Sequence, residues 1–136
     1  MNEKLEKMLI EDEGLRLMPY RCTANKLTIG VGRNIEERGI TEEEAMFLLR
    51  NDIYIVMKEL GSRLSWFTSA PETVQLVLAN MCFNMGASRL MQFKKTLEHL
   101  EKGEYLSASL EMLNSKWAVQ VGKRAARLSK LIKDLA

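Results

Sequence analysis

The sequence predicts an α+β protein, predominantly α-helical and two-lobed, with a small N-terminal antiparallel sheet, a long connecting helix and a helical C-terminal lobe. Three observations carry this. Between Leu15 and Ile35 the apolar residues come in short pieces broken by Pro19, Asn25, Gly30 and Gly32, a pattern of short strands joined by turns. Ala45, Leu48, Leu49, Ile53, Val56, Met57 and Leu60 then recur at helical spacing over one long stretch. After Pro71 helical patterns follow one another, separated by little more than single glycines. A chain of 136 residues is expected to form a single domain, 1–136. Its N-terminal lobe would cover about 13–60, and its helical lobe about 61–136 together with the N-terminal helix 2–12.

Each element has a local cause. Leu5, Met8 and Leu9 make an i, i+3, i+4 stripe, so 2–12 reads as an amphipathic helix stopped by Gly14. In the strand region, Ala24-Asn25-Lys26 reads as one of the turns. Thr41-Glu42-Glu43-Glu44 is a capping box: the Thr41 hydroxyl accepts one orphan backbone N–H while Glu44 reaches back to another. Pro71 suits the start of a helix. Residues 73–85 are apolar nearly all round, which marks a buried central helix ended by Gly86. Further helices are expected at 88–102, 104–113, 115–121 and 123–135, the last with Ala125, Leu128, Leu131, Ile132 and Leu135 inward.

Composition narrows the function. The only histidine is His99, and no His/Cys group has zinc spacing, so neither a metal nor another cofactor is expected. Cys22 and Cys82 suit a reduced compartment rather than a disulfide framework. Gly30 and Gly32 make a G-x-G without the third glycine of a dinucleotide fingerprint. The N-terminus alternates charge and has no apolar stretch that would serve as a signal peptide or membrane span, so synthesis in a cytoplasm is expected. Net charge is +2, yet residues 115–136 carry six Lys/Arg against one acid. That basic end, with Lys123, Arg124, Arg127, Lys130 and Lys133 on the last helix, would suit weak contact with anionic membrane or wall polymer. A nucleic-acid partner is not expected, because interleaved aromatics and a recognisable module are missing. No spare apolar stripe calls for a second copy, so the expected state is a monomer.

The densest chemistry lies at Glu13, Cys22 and Thr28, a carboxylic acid, a thiol and a hydroxyl within sixteen residues. Glu13 closes the first helix, where the negative end of the macrodipole disfavours a second negative charge. An acid kept protonated near neutral pH is what protonates a leaving oxygen. Cys22 sits among Tyr20, Arg21 and Thr23, and the adjacent Arg21 would favour its thiolate.

With these spacings the sequence resembles the phage-type lysozymes, glycoside hydrolase family 24. The resemblance rests on Glu13-Gly14-Leu15 with Tyr20, then Cys22, then Thr28-Ile29-Gly30-Val31-Gly32. It continues through Asn80-Met81-Cys82-Phe83-Asn84-Met85-Gly86, Ser115-Lys116-Trp117 and Arg124-Ala125. It implies a lysozyme-like fold and an endolysin muramidase that hydrolyses the β-1,4 bond between N-acetylmuramic acid and N-acetylglucosamine in peptidoglycan, lysing the host cell. On this resemblance Glu13 falls on the general acid, while Cys22 and Thr28 fall on the positions that activate or place water. Gly32, Asn34, Phe83 and Thr96 would contact substrate, and Arg124 would support the acid. Such an enzyme would accumulate in the bacterial cytoplasm and reach the periplasmic wall after a membrane-disrupting protein releases it.

Three positions depart from the family pattern. Cys22 stands where Asp is common, Asn25 where the turn usually has Gly, and Arg33 where a histidine is common. Asn tolerates the left-handed region, so the turn is expected to survive. Arg33 has no evident consequence in sequence. Two alternatives stay open: a lytic transglycosylase acting on the same bond, and a non-catalytic peptidoglycan-binding module.

Overall fold

The computed structural model describes residues 1–136, which fall into two compact units, Met1–Leu48 and Leu49–Ala136. The first unit opens with α1 (Asn2–Glu13), stopped by Gly14, whose N–H donates to the Ile10 carbonyl. Three antiparallel strands follow in the order β1 (Arg16–Arg21), β2 (Leu27–Gly30) and β3 (Arg33–Asn34). Between the Arg16↔Gly30 and Tyr20↔Thr28 pairs β1 advances four residues while β2 moves two, so β1 bulges. Pro19, which has no N–H to give a ladder, lies inside that bulge on an edge strand, where it does least harm. The β1–β2 connection turns at Asn25, the one non-glycine residue with positive φ (59°), as its side chain allows. The short helix α2 (Ile35–Arg38) follows β3 directly and was not visible in the sequence.

The chain passes from one unit to the next through α3 (Glu42–Arg63), 22 residues long. Its predicted capping box is present: Thr41 N–H donates to Glu44 at 2.8 Å, and Glu44 N–H to the Thr41 hydroxyl at 3.1 Å. Its apolar stripe is not buried along its length. Leu60 is fully buried and Val56 and Met57 partly so, but Leu48 and Ile53 remain exposed. Only the last turns of α3 therefore enter the core.

In the second unit a 3-10 turn (Phe67–Ser69) leads to α4 (Glu72–Met85), which buries Val74, Val77, Leu78, Met81 and Cys82. The helix expected at 88–102 is two helices, α5 (Ala87–Leu90) and α6 (Lys94–Glu101). At the break the hydrogen bonds tighten to Gln92 N–H→Arg89 and Phe93 N–H→Leu90, and Phe93 leaves helical geometry. The Phe93 ring lies edge-on to Trp117, centroids 6.2 Å apart, so tertiary packing overrides local helix continuity here. The remaining helices are α7 (Tyr105–Leu113), α8 (Lys116–Val121, capped by the Ser115 hydroxyl) and α9 (Lys123–Lys133). On α9, Ala125, Leu128 and Ile132 point inward as expected, joined by Ser129, whereas Leu131 is exposed. Leu60, Val74, Val77, Leu78, Met81, Leu90, Met112 and Ile132 are all fully buried in one core. Each such side chain contributes roughly 1.5–3 kcal/mol relative to exposure. No helix is long and apolar enough to cross a membrane.

The Arg33 guanidinium donates to both carboxylate oxygens of Glu44, a fork that gives the first unit a titratable tie. Arg33, the capping-box amide and the Thr41 hydroxyl together lower the Glu44 pKa from 4.5 to about 2. A carboxylate with a depressed folded pKa contributes stability that is present above its unfolded pKa and lost as pH falls through the folded one. The thermal midpoint should therefore fall as pH drops from about 4.5 towards 2, and Glu44→Gln should flatten that dependence in melts followed by circular dichroism. An acid slope unchanged by Glu44→Gln would contradict the assignment.

Candidate active site

The C-terminus of α1 brings Glu13 against the turn between β2 and β3. A Cβ built on Gly32 would lie 3.0 Å from Glu13 Oε2 and 3.2 Å from both its Cδ and Cγ. The bare α-carbon of Gly32, held at φ +66°, is thus the surface on which the Glu13 side chain rests. Glycine is required here twice over, for backbone conformation and for the close approach. Glu13 itself is exposed to solvent.

Cys22 begins the β1–β2 turn. Its N–H donates to the Lys26 carbonyl at 3.0 Å and its carbonyl accepts from Asn25 N–H at 2.8 Å. Its thiol is held below the ordinary thiol range, chiefly by backbone hydrogen bonding from Lys26, then by Ala24, then by the Thr28 hydroxyl. Arg21 is not a cause, which corrects the expectation from sequence. Its guanidinium is taken by Glu36, at 2.9 Å, and the same carboxylate accepts Leu27 N–H at 3.3 Å. Sequence adjacency put a cation beside the thiol, but alternation along β1 and the arrival of α2 direct that cation elsewhere. Oriented peptide dipoles of the tight turn favour the thiolate instead.

Thr28 lies opposite Tyr20 in the ladder and is buried. Its Oγ1 donates to the Lys26 carbonyl at 2.8 Å. A hydroxyl has one proton, so in this arrangement Oγ1 is left as an acceptor for a water hydrogen. Turned the other way, the same proton would stabilise a Cys22 thiolate. Cys22 and Thr28 thus flank one turn, and Glu13 and Gly32 share one contact, all within the first unit. Asn34 uses its carboxamide oxygen to cap α2, accepting Glu37 N–H at 3.1 Å.

The remaining candidates belong to the second unit. Phe83 is 49% exposed and borders a cavity of about 270 Å³ with Asp52, Glu59 and Cys82. Burial pushes the Cys82 thiol up, and Glu59 adds to it. Thr96, on α6, lines a larger cavity of about 680 Å³ walled by Phe93, Trp117, Lys94, Lys95 and Lys116. The Trp117 indole N–H donates to Asn84 Oδ1 at 3.0 Å, fixing the ring against α4. Arg124 is held by Asn80, through Nε to Oδ1 at 2.8 Å and Nη2 to the carbonyl at 3.2 Å. Asn80 and Asn84, which the sequence offered only as part of a motif, are therefore the side chains that orient Arg124 and Trp117. Their i, i+4 spacing on α4 was the available signal.

Comparison with known proteins identifies the family. The phage lysozyme family matches residues 10–133. A probable T4-type lysozyme 2 of Dictyostelium discoideum is 30% identical over 157 residues, spanning 94% of this chain and 92% of that protein. An endolysin of Acyrthosiphon pisum secondary endosymbiont phage 1 is 31% identical over 128 residues, spanning 91% of this chain and 85% of that protein. A SAR-endolysin of Escherichia phage Mu is 29% identical over 127 residues, spanning 90% and 70%. With the family match running through both units, the chain belongs to the phage lysozyme family and is a glycoside hydrolase of the lysozyme type that acts on peptidoglycan.

Proposed function

We propose that the protein is a muramidase that hydrolyses the β-1,4 bond between N-acetylmuramic acid and N-acetylglucosamine, with Glu13 as general acid. The observation that carries this reading is the seating of the Glu13 carboxyl on Gly32, in the same small unit as the Cys22–Thr28 turn. Glu13 gives its proton to the glycosidic oxygen as the C1–O bond breaks. Water adds to C1 from the opposite face of the sugar, which inverts the anomeric carbon. Thr28 Oγ1 accepts one hydrogen of that water, and the Cys22 thiolate takes the other as the new C1–O bond forms. Exchange with solvent then reprotonates Glu13 and deprotonates Cys22. Gly32, Asn34, Phe83 and Thr96 are the proposed substrate contacts and Arg124 the proposed support of the acid. The endolysin names of two relatives favour action on the host wall after release, and accumulation in the cytoplasm beforehand is part of the proposal.

The thiolate gives the test. Near pH 7 only a few per cent of an unperturbed thiol is ionised, and the Cys22 turn raises that fraction. Activity should rise with pH along a limb lying below the ordinary thiol range of about 8.5. Alkylation by iodoacetamide should remove it, and Cys22→Asp should move the limb down to the carboxylate range. Turnover and pH profile undisturbed in Cys22→Ala would remove Cys22 from the mechanism.

A further inference from the structure

Strand β3 is the part of the first unit least able to hold itself. It has two residues, paired to β2 as Thr28↔Asn34 and Ile29↔Arg33. It follows directly on Gly32, whose α-carbon supports the Glu13 carboxyl. Two ladder pairs at a sheet edge give little stability of their own. The Arg33 side chain ties β3 to the start of α3. Its guanidinium grips both oxygens of Glu44, Nη1 to Oε1 at 2.9 Å and Nη2 to Oε2 at 2.8 Å, and Nη1 also donates to the Gly39 carbonyl at 3.2 Å. Glu44 is a fixed partner because Oε1 also accepts Thr41 N–H in the capping box of α3. A continuous path therefore runs from the start of α3 through Glu44 and Arg33 to Gly32 and the Glu13 carboxyl.

We propose that Arg33 is a positioning residue for the general acid: its fork with Glu44 sets where Gly32 lies, and Gly32 sets where the Glu13 carboxyl points. The proposal rests on the reading of Glu13 as the acid. One peptide bond separates the anchored residue from the glycine, and the Glu13 carboxyl occupies the space that a Cβ on the glycine would need, 3.0 Å from where it would stand. A planar guanidinium matched to two carboxylate oxygens fixes direction as well as distance, whereas a lysine ammonium offers only a point contact. Reacting groups must be held to within about half an ångström, so loss of direction costs rate even when the strand survives.

The test uses the full-length chain with Arg33→Lys and Glu44→Gln, singly and combined, assayed where every variant is folded. Two quantities are read: kcat and KM on peptidoglycan, and the carboxyl 13C resonance of Glu13, assigned by its absence in Glu13→Gln. The Glu13 resonance should move in Arg33→Lys, and kcat should fall about tenfold with KM changed by less than about twofold. The double variant should be no worse than the poorer single one, because both break the same link. An unmoved Glu13 resonance with kcat per folded molecule intact, and only the melting temperature lowered, would reduce the fork to a structural tie and overturn the proposal. The parent reading fails differently: Glu13→Gln would still cleave the wall, whatever the resonance does in Arg33→Lys.

Discussion

Replacing Glu13 with Gln is expected to lower wall hydrolysis by a factor on the order of a hundred to ten thousand, the usual contribution of a positioned proton donor. The loss should fall in kcat, since the amide keeps the size and shape of the carboxyl and its seat on Gly32. Because Glu13 is exposed and closes α1, the substitution removes no core contact, and the melting temperature should stay within about two degrees. Initial rates on purified peptidoglycan and a circular dichroism melt read both quantities. Near-wild-type turnover would require another residue to supply the proton.

Gly32→Ala carries the second largest expected effect, and Gly30→Ala is its internal control. Both glycines have positive φ, +66° for Gly32 and +71° for Gly30. An alanine at either site should cost about 1–2 kcal/mol of backbone strain. They differ in what a new methyl would meet. At Gly30 nothing lies within 4 Å, while at Gly32 the methyl would press on Glu13 Oε2, Cδ and Cγ at 3.0–3.2 Å. The Glu13 side chain must then give by a few tenths of an ångström, which shifts its carboxyl. Gly32→Ala should lose at least about tenfold in kcat beyond Gly30→Ala at matched folded fraction. Equal activity in the two variants would mean that the seat of Glu13 has no part in the reaction.

What the sequence disclosed, and what it hid, follows from the range of the forces involved. The capping box at Thr41–Glu44, the glycine stops of α1 and α4 and the positive-φ turn at Asn25 depend on a few neighbouring residues, and each is where the sequence pattern put it. The break between α5 and α6 depends on Phe93 meeting Trp117, and no local pattern announces a contact between residues so far apart. The exposure of Leu48 and Ile53 shows the same limit: periodicity marks a face of α3 but not where packing along it begins. At the site, Glu13, Cys22 and Thr28 stood out by residue type and by resemblance. The electrostatics between them did not, because the Arg21 charge is spent on Glu36 of a helix that the sequence had not revealed. Arg33 is the clearest case. Its change from the family pattern was visible, but its meaning depended on the fork with Glu44 and on the glycine beside it.

The most direct test of the central claim is mass spectrometry of the fragments that the wild-type chain and Glu13→Gln release from purified Gram-negative peptidoglycan. Hydrolysis with Glu13 as the acid predicts glycans ending in reducing N-acetylmuramic acid from the wild type and almost none from the variant. Anhydro-muramic ends, or reducing ends that persist in Glu13→Gln, would contradict it.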